Sequence, residues 1–360
     1  MRPGLSGDDG ELTEISQHFR VAAAEVYRTS PLYQRLCPVV ADDRHSLELL
    51  RHRRPGQQPS YLLFGAVHHL LLSGVEHPLA ACYPSLAATG PAGSDPGPLF
   101  LDFVRRHQDE LLPLVRTRLV QTNVVRRCVG LRYALSVVAA SRPGPVHLIE
   151  VGASAGLHLR LDRYRFAFGT YLDGPSDAAL TVRTRWGDAR ERTLNPLPPL
   201  ASRTGIDLNP IDITDPDQRL WLRALVWPEK IADADLLQAA LVEAAAHPVN
   251  LVAGDAVEVC PRLAGTLPPG ETRVVFHAAT RMHVPALRRA AFDRAIDGLG
   301  RDGPLYHVWQ EPPTAQHHGV AIGSQAGLFL HGADPARTVA LAAIDGHGAW
   351  ITPNDHPAEA

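Results

Sequence analysis

Apolar residues in the first part of the chain recur at the three-and-four spacing that lines one face of a helix. Phe19, Ala22, Ala23 and Val26 make one such stripe, and Leu62, Leu63, Val67, Leu70 and Leu71 another. The pattern runs from Glu11 to about Arg142 and predicts a helical N-terminal region over residues 1–144. Its one long break, residues 87–98, holds Gly90, Pro91, Gly93, Pro96, Gly97 and Pro98. So many helix breakers predict an exposed connection between helices, not a domain boundary.

After Arg142-Pro143-Gly144-Pro145 short apolar runs alternate with helical stretches, the order of elements that builds a parallel sheet from βα units. Strands are expected at 146–151, 204–208, 250–253, 273–276 and 304–309, with antiparallel ones around 327–330, 338–343 and 349–351. Residues 165–203, rich in Gly and Pro and carrying the alternating Leu180, Val182, Thr184 and Trp186, read as an insertion that contains a hairpin. The fold expected for residues 145–360 is α/β: a doubly wound, Rossmann-like sheet of about seven strands, preceded by the helical region. The chain shows no internal repeat and no low-complexity tract.

Of the 360 residues 45% are hydrophobic and 20% charged, with a formal net charge of -3, the make-up of a globular protein. Nucleic-acid binding through bulk positive charge is excluded. Lys230 is the one lysine among 35 basic residues, a compositional bias to which no function attaches. Cys37, Cys82, Cys128 and Cys260 lie far apart and form no C-x-x-C pair, which predicts free thiols in a reducing compartment. Asp8, Asp9, Glu11 and Glu14 stand where a leader peptide would be apolar, and no apolar run reaches about 18 residues. A cytoplasmic location without a membrane partner is expected, and the sequence sets no oligomeric state.

Candidate chemistry centres on His147-Leu148-Ile149-Glu150-Val151-Gly152-Ala153-Ser154-Ala155-Gly156. A buried strand is expected to enter a turn of small residues and then a helix, so that a ligand approaches the backbone at a helix N-terminus. Glu150-x-Gly152-x-Ser154-x-Gly156 resembles the first motif of class I S-adenosylmethionine-dependent methyltransferases, with Ser154 in place of the middle glycine. Gly152-x-Ser154-x-Gly156 is also, letter for letter, the nucleophile elbow of α/β-hydrolases, and Asp255 and His347 follow Ser154 in triad order. A hydrolase elbow, however, comes after several strands, and everything before residue 146 reads as helix. The G-x-G-x-x-G of dinucleotide folds is not matched. The turn can also be a tight one whose glycines serve packing alone.

Two later strand ends carry acids in the order a methyltransferase needs. Asp207, in Gly205-Ile206-Asp207-Leu208-Asn209-Pro210, suits ribose hydroxyls, although the insertion carries it well past the roughly 20 residues usual after the glycines. Asp255 with Ala256, in Gly254-Asp255-Ala256, resembles the site where an acid accepts from the adenine amino group. The resemblance implies S-adenosylmethionine as cofactor, held by Glu150, Gly152, Ala153, Ser154, Gly156, Asp207, Asp255 and Ala256. It also implies a small-molecule oxygen or nitrogen nucleophile as methyl acceptor. The alternatives are a serine hydrolase working through Ser154 and a non-catalytic nucleotide-binding or interaction protein of the same fold.

His277 ends the fourth parallel strand and is the candidate general base. His307 and Trp309, with Glu311, end the fifth and are expected to line the substrate pocket. Gln121, Thr122 and Asn123 are expected to face it from the helical region, which would cover the methyl donor, or else to cap a helix. No metal is expected, because His277, His283, His307, His317 and His318 lack the i, i+4 spacing with an intervening Glu.

Over nearly the whole chain the segments resemble a bacterial family known as domain of unknown function 2332. They are Leu63-Phe64-Gly65-Ala66-Val67-His68-His69-Leu70, Ala81-Cys82-Tyr83-Pro84-Ser85, Val120-Gln121-Thr122-Asn123, the strand and turn at 150–157, Leu161-Asp162-Arg163-Tyr164, and 205–210. Val275-Phe276-His277 and His347-Gly348-Ala349-Trp350 complete the set. The resemblance implies that the helical and sheet halves form one inherited unit, and it brings no reaction with it. After Asn123 the family has an acid and a glycine where this chain has Val124 and Val125.

Overall fold

Proline writes the helix starts of this chain: Pro31, Pro59, Pro96 and Pro216 each stand in a first helical turn, where a missing N–H costs nothing. The computed structural model describes residues 7–87, 95–188, 190, 192–311, 316–317, 320–321, 327–333 and 336–354. They divide into a first unit, Met1–Thr122 with Thr214–Asp235, and a second, Asn123–Ile213 with Leu236–Ala360.

The first unit holds α1 (Gly7–Glu25), α2 (Pro31–Ala41), α3 (Arg44–Leu50), α4 (Pro59–Leu72), α5 (Pro96–Arg106) and α6 (Gln108–Thr117). After α7 (Cys128–Ser141) in the second unit, α8 (Pro216–Ala224) returns to the first, and α9 (Ile231–Ala246) spans the division. The expected stripes are core: Phe19, Leu62, Leu63 and Val67 are wholly buried. Helix α4 is buried on nearly all sides, with Phe64 stacked on Tyr33 at 4.4 Å. Trp221 and Leu225 close over Gly65, where a larger residue would meet both. Trp221 and Leu225 draw 214–235 into the helical core. Helix α7, in turn, belongs with the sheet, since the guanidinium of its buried Arg132 grips the Asp173 carboxylate. Most of the connection at 87–98 lies outside the described residues; at its end Asp95 caps α5 through the Gly97 N–H at 3.1 Å.

In the second unit come β1 (Val146–Val151), β2 (Arg165–Phe168), β3 (Tyr171–Asp173), β4 (Thr181–Trp186), β5 (Leu200–Asp207) and β6 (Asn250–Ala253). Then follow α10 (Ala256–Ala264), β7 (Thr272–Ala278), α11 (Ala286–Asp297) and β8 (Leu305–Glu311). The short β9 (Gln316–His317) and β10 (Val320–Ala321) pair with each other, and β11 (Gly327–Ala333), β12 (Ala336–Ile344) and β13 (Trp350–Pro353) complete the set. One sheet of 11 strands runs β3-β2-β4-β13-β12-β11-β8-β7-β1-β5-β6. Strands β6, β5, β1, β7 and β8 are parallel, and β11 to β13 continue antiparallel.

The sheet is mixed α/β as expected but larger than seven strands, because the insertion joins it. Its hairpin is β2–β3, turning at Gly169 with φ +63. The alternating segment becomes β4, which pairs parallel with β2 on one side and with β13 on the other. All six residues of β1 are buried, as in a parallel strand covered on both faces. Among the described residues no helix is long and apolar enough to cross a membrane.

Candidate functional site

Where β1 ends, the strand order reverses, with β5 on one side and β7 on the other. Crevices at such points are where open α/β sheets bind ligands. The turn that follows is sewn to β5. The Gly152 and Ala153 N–H groups donate to the Ile206 carbonyl at 2.8 and 3.2 Å, and the Ser154 N–H donates to Asp207 Oδ2 at 2.8 Å. Asp207 Oδ1 accepts from the Asn209 N–H, also at 2.8 Å, and the Ser154 carbonyl accepts from Ile211. Asp207 is buried, and its carboxylate holds two turns in register.

The turn contains three left-handed residues, Gly152 (φ +76), Ser154 (φ +50) and Gly156 (φ +63). A Cβ on Gly152 would run into Thr280 Oγ1, and one on Gly156 would lie 2.9 Å from Leu251. Room that glycines leave for a ligand is here filled by protein side chains. The expected helix after the turn is also missing. A 3-10 segment, His158–Arg163, follows, with non-helical angles at Arg160. The Arg160 guanidinium takes the Gly156 carbonyl at 2.7 Å and that of His247 at 2.6 Å, satisfying carbonyls that a continuing helix would have used.

Beneath the turn, Glu150 Oε1 lies 2.6 Å from His158 Nδ1, and His158 Nε2 lies 3.0 Å from the Val124 carbonyl. Both partners accept, so the doubly protonated imidazolium is the form that satisfies both. Burial opposes that charge, but the Glu150 carboxylate and the Val124 carbonyl outweigh it and raise the His158 pKa. Glu150 Oε2 is buried with no partner among the described residues. No local pattern marks His158, which lies eight residues beyond Glu150. Its one signal is position, just past a turn that brings it back under the strand.

Asn123 does reach the turn: its Nδ2 donates to Ser154 Oγ at 2.9 Å. Neither Thr122 nor Asn123 caps a helix, since the 3-10 turn Val125–Arg127 starts after Val124 without a side-chain cap. Gln121 and Thr122 belong to the first unit. Ser154 Oγ has Asn123 as its partner and no histidine, and Asp255 is engaged elsewhere, so the Ser154–Asp255–His347 order does not form a hydrogen-bonded triad. Asp255 is the N-cap of α10, accepting from the Val257 N–H at 2.9 Å and pairing with Arg288 at 2.9 Å, and Ala256 is buried behind it.

Across the reversal, Glu311 organises the turn after β7. Its Oε1 accepts from His277 Nδ1 at 2.8 Å and from the Thr280 and Arg281 N–H groups, each at 3.0 Å. Burial would raise its pKa, but His277 and the two N–H groups more than offset that and hold it below the ordinary value. Ala279, left-handed at φ +50, lets the turn set Thr280 against Gly152. His277, His307 and Trp309 are wholly buried, with ring centroids 5.1 Å apart for the two histidines and Trp309 stacked on Phe329 at 5.5 Å. They belong to the sheet core. Among the described residues no group of three or more His, Cys, Asp or Glu is placed to hold a metal, and His318 lies outside them. Burial pushes the Cys37 and Cys260 thiols up to about 12, which rules out easy thiolate chemistry there.

Fold and site define a mixed α/β protein with one open sheet and a glycine-containing turn where its strand order reverses. The family model described as "Uncharacterized protein conserved in bacteria (DUF2332)" matches residues 16–352, and the chain belongs to that family. No protein with a curated description matches it.

Proposed function

We propose that the second unit binds S-adenosylmethionine at the carboxyl ends of β1, β5 and β7 and transfers its methyl group to a small-molecule oxygen or nitrogen nucleophile. The observation that carries this reading is Glu150 Oε2, a buried, unpartnered carboxylate oxygen beside the reversal of strand order. His158 already supplies the carboxylate with positive charge, so what this oxygen lacks is a hydrogen-bond donor, which the ammonium of S-adenosylmethionine would provide. With the insertion set aside, β6-β5-β1-β7-β8 is the 3-2-1-4-5 succession of Rossmann-like sheets, which favours a nucleoside ligand. The absent helix after the turn removes the usual seat of a pyrophosphate, which favours a nucleoside without one.

The acceptors suit the group better than the space does. Thr280 occupies the approach at Gly152, so in this reading the backbone contacts come from Ala153 to Ala155. Asp207 fixes the turn instead of reaching ribose, and Asp255, a quarter exposed, serves the adenine side. His277 positions Glu311 and the Thr280 turn and takes no proton from substrate. The bound donor would supply an electrophilic methyl group, and the protein's share is chiefly orientation.

A melting experiment with S-adenosylmethionine and S-adenosylhomocysteine tests the proposal. At about a hundredfold over Kd a ligand adds roughly 2.7 kcal/mol, a visible rise in Tm. Glu150→Gln should remove most of that rise. No rise with either compound at millimolar concentration would end the proposal.

A further inference from the structure

Two segments of the helical half carry polar side chains outside the nucleoside site, Leu63-Phe64-Gly65-Ala66-Val67-His68-His69-Leu70 and Ala81-Cys82-Tyr83-Pro84-Ser85. They meet within the first unit. Ser85 Oγ lies 2.8 Å from His68 Nε2, and His68 Nδ1 lies 3.0 Å from the carbonyl of Ala224. A carbonyl only accepts, so the ring proton sits on Nδ1, and Nε2 is left to accept the Ser85 hydroxyl proton.

Ala224 is the last residue of α8, so its carbonyl belongs to the final turn, which the helix itself leaves unbonded and where its dipole is negative. It stands where a carboxylate would orient the base of a triad. His68 is 2% exposed, with its ring 5.2 Å from Tyr83, whereas Ser85 is only partly buried. A nucleophile, a base and a group that orients the base, each within hydrogen-bond reach of the next, is the arrangement that activates serine. Burial pulls the His68 pKa down to about 4; the backbone of Ala224 and of Val226 resists this, while Arg223 and His69 add to it. The ring therefore holds its proton-accepting form at neutral pH.

We propose that Ser85 is a nucleophile activated by His68, forming an acyl-transfer site in the first unit that acts on carboxylic esters. Ser85 Oγ adds to the ester carbonyl carbon while its proton passes to His68 Nε2, and the Ala224 carbonyl holds the resulting imidazolium. The alkoxide leaves with that proton as an alcohol. Water then repeats the sequence on the acyl-serine, releasing the acid and restoring Ser85. The step shares no residue with the nucleoside site proposed above and stands without it.

Incubation of the full chain with a fluorophosphonate probe, followed by peptide mass spectrometry, tests this. The expected result is an adduct on Ser85 that is absent in Ser85→Ala and forms about a hundredfold more slowly in His68→Gln. Its rate in the unaltered chain should be flat from about pH 6 to pH 8, because the base is already neutral there. Hydrolysis of p-nitrophenyl acetate should be lost in Ser85→Ala, whose half-buried position makes it safe for folding where His68→Gln is less so. An adduct on Ser154 in place of Ser85, no adduct at all, or esterase activity equal in Ser85→Ala would overturn the proposal.

Discussion

Asn123 donates its side-chain amide to Ser154 Oγ at 2.9 Å, and Ser154 holds φ +50, a left-handed conformation that strains any residue with a Cβ. The hydrogen bond and the strain pull in opposite directions, which makes two substitutions at one position separable. Ser154→Ala keeps the strain and loses the bond, a cost of about 1 kcal/mol. Ser154→Gly loses the bond but relieves about 1 kcal/mol of backbone cost, leaving stability nearly unchanged. Urea unfolding should therefore rank Gly above Ala. The reverse ranking would mean that Ser154 is not strained.

Gly152 is constrained twice, by φ +76 and by the Thr280 side chain in the place of its absent Cβ. Gly152→Ala should lose about 2–4 kcal/mol, the sum of a left-handed alanine and an overpacked contact. Thr280→Gly in that background relieves the contact and not the backbone, so it should recover about half. Full recovery would assign the whole effect to crowding.

These two glycine-turn relationships mark the limit of what the sequence discloses. Strands β1, β5, β6, β7 and β8 were legible because a parallel strand buried on both faces is a short apolar run with small residues at its end. The turn's glycines were legible as a break, but not what occupies the space they leave, since Thr280 arrives from a segment far along the chain. Asn123 was expected to face a pocket, and its bond to Ser154 was not legible; nor were the pairing of His158 with Glu150 or that of His277 with Glu311, which only the fold brings together. His277 looked catalytic because strand ends are where chemistry gathers, and the structure shows it wholly buried and bonded to Glu311. The joining of β4 to β13 rests on pairing between Ile351 and Trp186, which no local pattern records.

The two carboxylate clusters respond to pH in opposite directions. His158 has a folded pKa raised above its unfolded value, so the Glu150 contact stabilises fully below about pH 6.5, the ordinary imidazole value, and fades as pH rises through the raised pKa. Glu311 has a folded pKa below its unfolded value, so its bonds to His277 and the Thr280 turn stabilise above the ordinary carboxylate range and fade as pH falls through the lowered pKa. Stability followed by urea unfolding should therefore decline on both sides of mildly acidic pH. In His158→Phe the alkaline arm should flatten and the acid arm persist. An alkaline decline unchanged in that variant would place its origin in some other group.

Arg132, wholly buried, carries a charged tie between α7 and the insertion. Its Nε and Nη2 form a fork on the Asp173 carboxylate at 2.6 and 2.8 Å, and Nη2 also reaches the Asn195 carbonyl at 2.9 Å. Removing one member strands the other charge in a poor solvent, so Arg132→Met should cost about 3–5 kcal/mol. Adding Asp173→Asn removes the stranded charge and should return a good part of that loss, because a desolvated pair contributes little beyond the neutral groups that replace it. Lysine keeps the charge but not the planar fork, so Arg132→Lys should fall between the two. Hydrogen exchange would locate the effect: protection should drop first at Tyr171–Asp173 and in α7, with β1 and β7 little changed. If the double variant were as unstable as Arg132→Met, the loss would lie in packing of the arginine stem and not in its charge.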